Sequence, residues 1–129
     1  DWPGYHYRQH ADSASRRGLP PQSLDDQRRA AALIRGSVPG QWPVLQQSAN
    51  AFYYEKLVYL ASMILRRADI EPYRVQLGEL RIGITAGLND RQLGRNPQLP
   101  FAIKVSAWAT VHAPKLWRKV CRKYLKDRQ

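Results

Sequence analysis

The sequence predicts an α+β fold: two N-terminal helices, one long and central, then a β-hairpin and a third strand forming a small antiparallel sheet, and last a basic amphipathic helix. Three observations predict it. Apolar residues recur at helical period across 43–68, they alternate with polar ones at 73–84 and 101–111, and helical period returns after Pro114. Helices segregated from a short antiparallel sheet define this class.

Residues 1–22 hold Pro3, Gly4, Gly18, Pro20 and Pro21 among aromatic and polar residues, without a sustained period, and read as an irregular arm. Ser23, followed by Asp25 and Asp26, supplies a helix cap and an acidic first turn for a helix over 24–35. Gly36, Pro39 and Gly40 break it, and Pro43 suits the first position of the next helix because its missing N–H has no partner there anyway. That second helix, 43–68, carries Leu45, Ala49, Phe52, Tyr53, Leu57, Leu60, Met63 and Ile64 on one broad side, extended by Tyr54, Val58, Ala61 and Leu65. Ser48, Glu55, Ser62 and Arg66 leave only a narrow polar stripe. At about 37 Å it is as long as a domain of this size is wide, so it forms the spine of the fold or meets a second copy in a homo-oligomer.

Tyr73, Val75 and Leu77, then Leu80, Ile82 and Ile84, alternate on either side of Gly78-Glu79, a pair suited to a two-residue turn. A helix opened by Pro72 is the rival, and the interior glycines Gly78 and Gly83 count against it. The stretch 86–100, with Gly87, Gly94, Pro97 and Pro100, reads as a long loop, the kind that often carries function. Phe101, Ile103, Val105, Ala107, Ala109 and Val111 then alternate as a third strand, and Pro114 opens a final helix to Asp127.

At 129 residues the chain fits one domain, 23–129, preceded by the arm. It begins with Asp1 and lacks the basic-then-apolar order of a signal peptide, so an excised domain of a larger chain or a processed product is expected. Charged residues interrupt every apolar run short of a transmembrane span. The single cysteine, Cys121, excludes an internal disulfide and favours a reducing compartment, hence a cytoplasmic location.

The strongest functional signal is charge. Lys and Arg number 21 against 10 Asp and Glu, a net charge of +11. The excess is concentrated at the end of the chain, where 101–129 holds eight basic residues and one acidic. In the last helix Lys115, Arg118, Lys119, Arg122, Lys123 and Lys126 share one side, and Leu116, Trp117, Val120, Cys121 and Tyr124 share the other. Like charges at this spacing repel one another, and an anionic partner relieves the repulsion. The plainer reading is a solvated face that complements the helix dipole. Arg91 and Arg95, with Asn89 and Asn96, add loop groups that can reach phosphates or base edges. In the arm, Trp2, Tyr5 and Tyr7 interleave with His6, Arg8 and His10, a pattern that stacks bases in single-strand binders and equally suits an arm folded onto the domain.

The inventory for catalysis is small. His112 is the best single acid–base candidate, with Arg91 or Arg95 to stabilise charge, although a histidine ending a strand is more often structural. His6, His10 and Asp12 lack a helical frame to hold a metal, and no zinc spacing occurs, so no metal is expected. Gly36-Ser-Val-Pro-Gly40 lacks the Lys-Ser/Thr ending of a phosphate-binding loop, and no cofactor is expected. The leading expectation is therefore a non-enzymatic nucleic-acid-binding domain gripping DNA or RNA phosphates through its basic C-terminal helix, without sequence specificity. Two alternatives stand beside it: a small metal-independent nuclease or toxin-like domain, and an adaptor docking an acidic protein in a larger assembly.

Overall fold

The computed structural model describes residues 20–125, and among these the fold is entirely helical. The order is α1 (Pro21–Gly36), α2 (Pro43–Leu65), a single 3-10 turn (Glu71–Tyr73), α3 (Arg74–Asn89), α4 (Phe101–His112), α5 (Pro114–Val120) and a π-helical turn (Cys121–Leu125). No strand occurs among the described residues, so the predicted α+β class, the hairpin at 73–84 and the strand at 101–111 are all overturned.

Helix α1 starts earlier than Ser23 suggests. Pro20 occupies the cap position in extended backbone and Pro21 is the first helical residue, so fixed proline geometry, not a side-chain cap, begins the helix. The helix buries Leu24 and Ala31, seven residues apart, and leaves Leu33 and Ile34 outside. Two polar links tie it to α3: Arg28 Nη2 to Glu79 Oε2 at 2.6 Å and Gln76 Nε2 donating to Asp25 Oδ2 at 3.3 Å.

Helix α2 begins at Pro43 as expected and is the spine, packing against α1, α3 and α4. Tyr54, Leu57, Val58, Leu60, Ala61, Ile64 and Leu65 are all buried and form one continuous stripe over less than half of its circumference in the C-terminal half, while Glu55 and Tyr59 face outward. Its N-terminal part is different, with Val44 and Leu45 exposed and Phe52 only half covered. Around this spine Leu24, Tyr73, Leu80, Ile84, Leu93, Leu99 and Ala107 complete one core.

The error at 73–89 has a clear physical cause. Tyr73, Leu80, Ile84 and Gly87 are buried and Leu77 is half-buried, a spacing of four and three that belongs to a helix. Val75 and Ile82, which created the alternation, are 67% and 72% exposed. The glycines that argued against a helix serve its packing: a Cβ on Gly83 would sit 2.9 Å from Leu57 Cδ1, and one on Gly87 would run into the Tyr54 ring. Helix propensity is thus given up so that α3 can lie close against α2. In α4 the inward set is Ile103, Ala107 and Thr110, again at helical spacing, while Phe101 projects into solvent at 79% exposure.

The connection 90–100 is irregular but anchored. Leu93 and Leu99 plug into the core, and the buried Asn96 donates from Nδ2 to the Gln47 carbonyl at 2.8 Å while accepting from the Gln98 N–H. No described helix is long and apolar enough to cross a membrane.

Candidate nucleic-acid interface

The cations singled out in the sequence fall into two groups at opposite ends of α2. At its C-terminal end lies the basic segment 114–125. Lys115, Lys119 and Lys123 are exposed, whereas Arg118 and Arg122 are half-buried; Lys126 lies outside the described residues. The segregation expected for this helix is therefore incomplete. Leu116 and Tyr124, placed on the docked side, are 65% and 60% exposed, and Arg118 turns inward. Its Nη2 donates to the carbonyls of Arg67 and Ala68, both at 3.0 Å, in the turn that follows the end of α2. Arg118 is thus first a brace between α5 and α2.

Beside it opens a cleft of about 190 Å³ whose lining includes Arg74, Arg81, Lys115 and Arg118 and no carboxylate. Arg81 Nη2 donates to the Val111 carbonyl at 3.2 Å, and the Nε atoms of Arg81 and Arg118 are buried without a hydrogen-bond partner. Arg74 is paired with Glu71 at 2.7 Å on the exposed 3-10 turn; its guanidinium holds the Glu71 carboxyl below its ordinary range. Cys121, on the core side of this segment, is fully buried, and desolvation pushes its thiol up to about 11. A protonated, covered thiol is unreactive.

The second group gathers near the N-terminal end of α2. Arg91 and Arg95 line a shallow cleft of about 180 Å³ with Gln47, Asn50, Gln92 and Asn96. Next to it lies a larger cleft of about 420 Å³, lined by Arg35, Gln46, Asn50, Tyr53 and Gln92 among others, so that Asn50 and Gln92 form a wall common to both. Arg35 stacks over Tyr53, 4.5 Å from the ring centroid, and its Nη2 donates to Gln92 Oε1 at 3.2 Å. The Tyr54 hydroxyl donates to the same oxygen at 3.2 Å, and burial pushes its pKa up despite the nearby Arg35. Arg91 has φ of +64°, the left-handed conformation that ends many helices and is usually occupied by glycine. Its N–H donates to the Leu88 carbonyl, as in such a terminus.

From Asn50 to Leu65 the helix rises about 22 Å, so the loop arginines and the basic segment do not form one continuous grip. The sequence points to Tyr53 only as part of the apolar side of the second helix, and nothing in it marks Arg35, Gln46, Gln47, Asn50 or Gln92 as site residues. They come from three separate segments, and no spacing along the chain announces their meeting.

His112 ends α4, exposed, with its ring centroid 5.2 Å from that of Trp108. His112 is not part of the cleft lining that Arg91 and Arg95 share. No group of three or more potential metal ligands occurs among the described residues. Trp2, Tyr5 and Tyr7, the stacking candidates, and His6, His10 and Asp12 all lie outside the described residues. Comparison with protein-family models, with curated proteins and with solved structures finds no match for this chain.

Proposed function

We propose that this chain is a nucleic-acid-binding domain that holds phosphates through its basic C-terminal segment and acts without catalysis. The observation that carries the reading is the grouping of Arg74, Arg81, Lys115 and Arg118 around a cleft with no carboxylate in its lining, continued by the exposed Lys119 and Lys123. Arg74 is paired with Glu71, and the remaining cations, left unmatched by the protein's own carboxylates, recruit an anionic polymer and release its counterions. A cytoplasmic setting belongs to this reading.

Salt dependence is the test. With about four to six phosphates engaged, log K for duplex DNA falls with log salt at a slope of roughly −4 to −5, and changing Lys115, Lys119 and Lys123 to Gln flattens it by about two to three units. An unchanged slope removes the segment from the interface, and no binding to DNA or RNA at low salt ends the reading.

A second reading, an adaptor for an acidic protein, draws on one observation. A groove of about 780 Å³ between α2, α4 and α5 combines Phe52, Tyr59, Ile103 and Trp117 with the cations Lys56 and Arg66 and one carboxylate, Glu55. Apolar surface rimmed by charge is the composition of protein-docking sites. Capture of an acidic partner that survives nuclease treatment favours it.

A further inference from the structure

We infer that the paired clefts between α1, α2 and the 90–100 connection form a binding site for one nucleoside monophosphate unit, with the phosphate between Arg91 and Arg95 and the base in the larger compartment against Asn50 and Arg35. The inference deepens the nucleic-acid reading and rests on it for its biological sense, but the chemistry is local to this site.

Three features define the ligand. The small compartment, about 180 Å³, is flanked by two exposed guanidiniums and four amide side chains, with no carboxylate lining it, and this is the chemistry of a phosphate or sulfate group. The neighbouring compartment, about 420 Å³, has the volume of a small-ligand site and a lining rich in amides. Among its side chains Gln46 and Asn50 make no hydrogen bond to any described residue. Gln92 has its oxygen fixed by Arg35 and Tyr54, which leaves its Nε2 hydrogens for a ligand. Free amides present donor and acceptor together, the pattern that reads the edge of a base. The third feature is the Arg35–Tyr53 stack, which supplies a planar cationic surface on which a base can lie. A sugar alone would call for carboxylates, and a phosphorylated side chain would leave the amide compartment and the stack without use.

The backbone of Arg91 points the same way. A left-handed conformation is costlier for an arginine than for a glycine. A strained non-glycine residue is a reason to look for a role of its side chain, and this side chain lines the proposed phosphate compartment.

The unit can be a free nucleotide or one residue of a strand, and the experiment separates these. The full chain, labelled with ¹⁵N, is titrated with each of the four ribonucleoside 5′-monophosphates, with inorganic phosphate, and with matching trinucleotides, while the side-chain amide resonances of Asn50 and Gln92 are followed. Saturable shifts with at least one monophosphate are expected, with affinity at least tenfold above that of inorganic phosphate. Asn50→Ala and Arg95→Gln each weaken it at least tenfold at unchanged melting temperature, while changing Lys115 and Lys119 to Gln leaves it unaltered. A trinucleotide binding tenfold tighter assigns the site to a strand, and equal affinity assigns it to a free nucleotide. Equal affinity for phosphate and monophosphates, absence of shifts with every monophosphate, or full affinity in Asn50→Ala overturns the inference. If the lysine variants abolish salt-dependent duplex binding while these shifts are absent, this site falls and the phosphate-gripping function stands; the reverse pattern leaves the site and removes that function.

Discussion

Gly87 of α3 lies flat against the ring of Tyr54 of α2, close enough that no Cβ fits between them. This contact brings the two helices together and places the Tyr54 hydroxyl on Gln92, in the wall between the two clefts. Packing inside the bundle and the shape of the candidate site are therefore linked through one tyrosine.

Glycines within α3 should respond with opposite signs. Gly87→Ala forces apart a packed interface and should cost about 1–3 kcal/mol. Gly78→Ala meets open space within a helix and should stabilise by about 0.5–1 kcal/mol. Urea unfolding of both variants checks this, and equal effects would mean that α3 does not press on α2 through Gly87.

Leu57 and Leu60 are fully buried on α2. Truncating either to Ala leaves a cavity in the one core, with an expected loss of about 2–5 kcal/mol in chemical denaturation. Midpoints equal to the parent's would show that this face of the spine is not packed.

Arg91→Gly should raise stability and lower binding together. Relief of the left-handed strain is worth about 1 kcal/mol, reduced by the greater freedom of glycine in the unfolded chain. Removal of the guanidinium should at the same time weaken monophosphate binding at least tenfold. A variant that is more stable and binds as well as the parent would leave the strain without a functional account.

Arg118 and its lysine neighbours should separate structure from charge. Arg118→Gln loses two hydrogen bonds to the turn that follows α2 and should lower the melting temperature. The change of Lys115, Lys119 and Lys123 to Gln should leave the melting temperature alone while flattening the salt dependence. If Arg118→Gln melts like the parent, the brace between α5 and α2 is not needed.

Burial of Cys121 predicts a loss of stability in alkali. Its thiol is raised to about 11, so above its ordinary value near 9 the unfolded chain gives up the proton while the folded chain keeps it. The stabilisation is whole below pH 9 and declines as the pH rises towards 11; the raised Tyr54 hydroxyl adds a decline of the same sign from pH 10 upward. Urea midpoints from pH 8 to 10 should fall in the parent and stay level in Cys121→Ala. Iodoacetamide should modify the native thiol far more slowly than the unfolded one at pH 8.

By itself the sequence determined the long helix from Pro43, because an apolar pattern on nearly every side of 23 residues after a helix-starting proline has no other stable use. It also determined the concentration of charge near the C-terminus, which composition carries without any fold. Only the tertiary structure decided the class. Residues 73–84 and 101–111 contain both a period of two and a helical period, and the choice between them depends on which side chains a neighbouring helix covers: Leu80 and Ile84, not Val75 and Ile82. The same holds for the candidate site. Arg91 and Arg95 stood out as loop cations, but Arg35, Asn50 and Gln92 joined them only when α1, α2 and the 90–100 connection packed together. Periodicity is a local property of the chain, whereas burial, close helix approach and the convergence of polar groups arise from contacts between segments far apart in sequence.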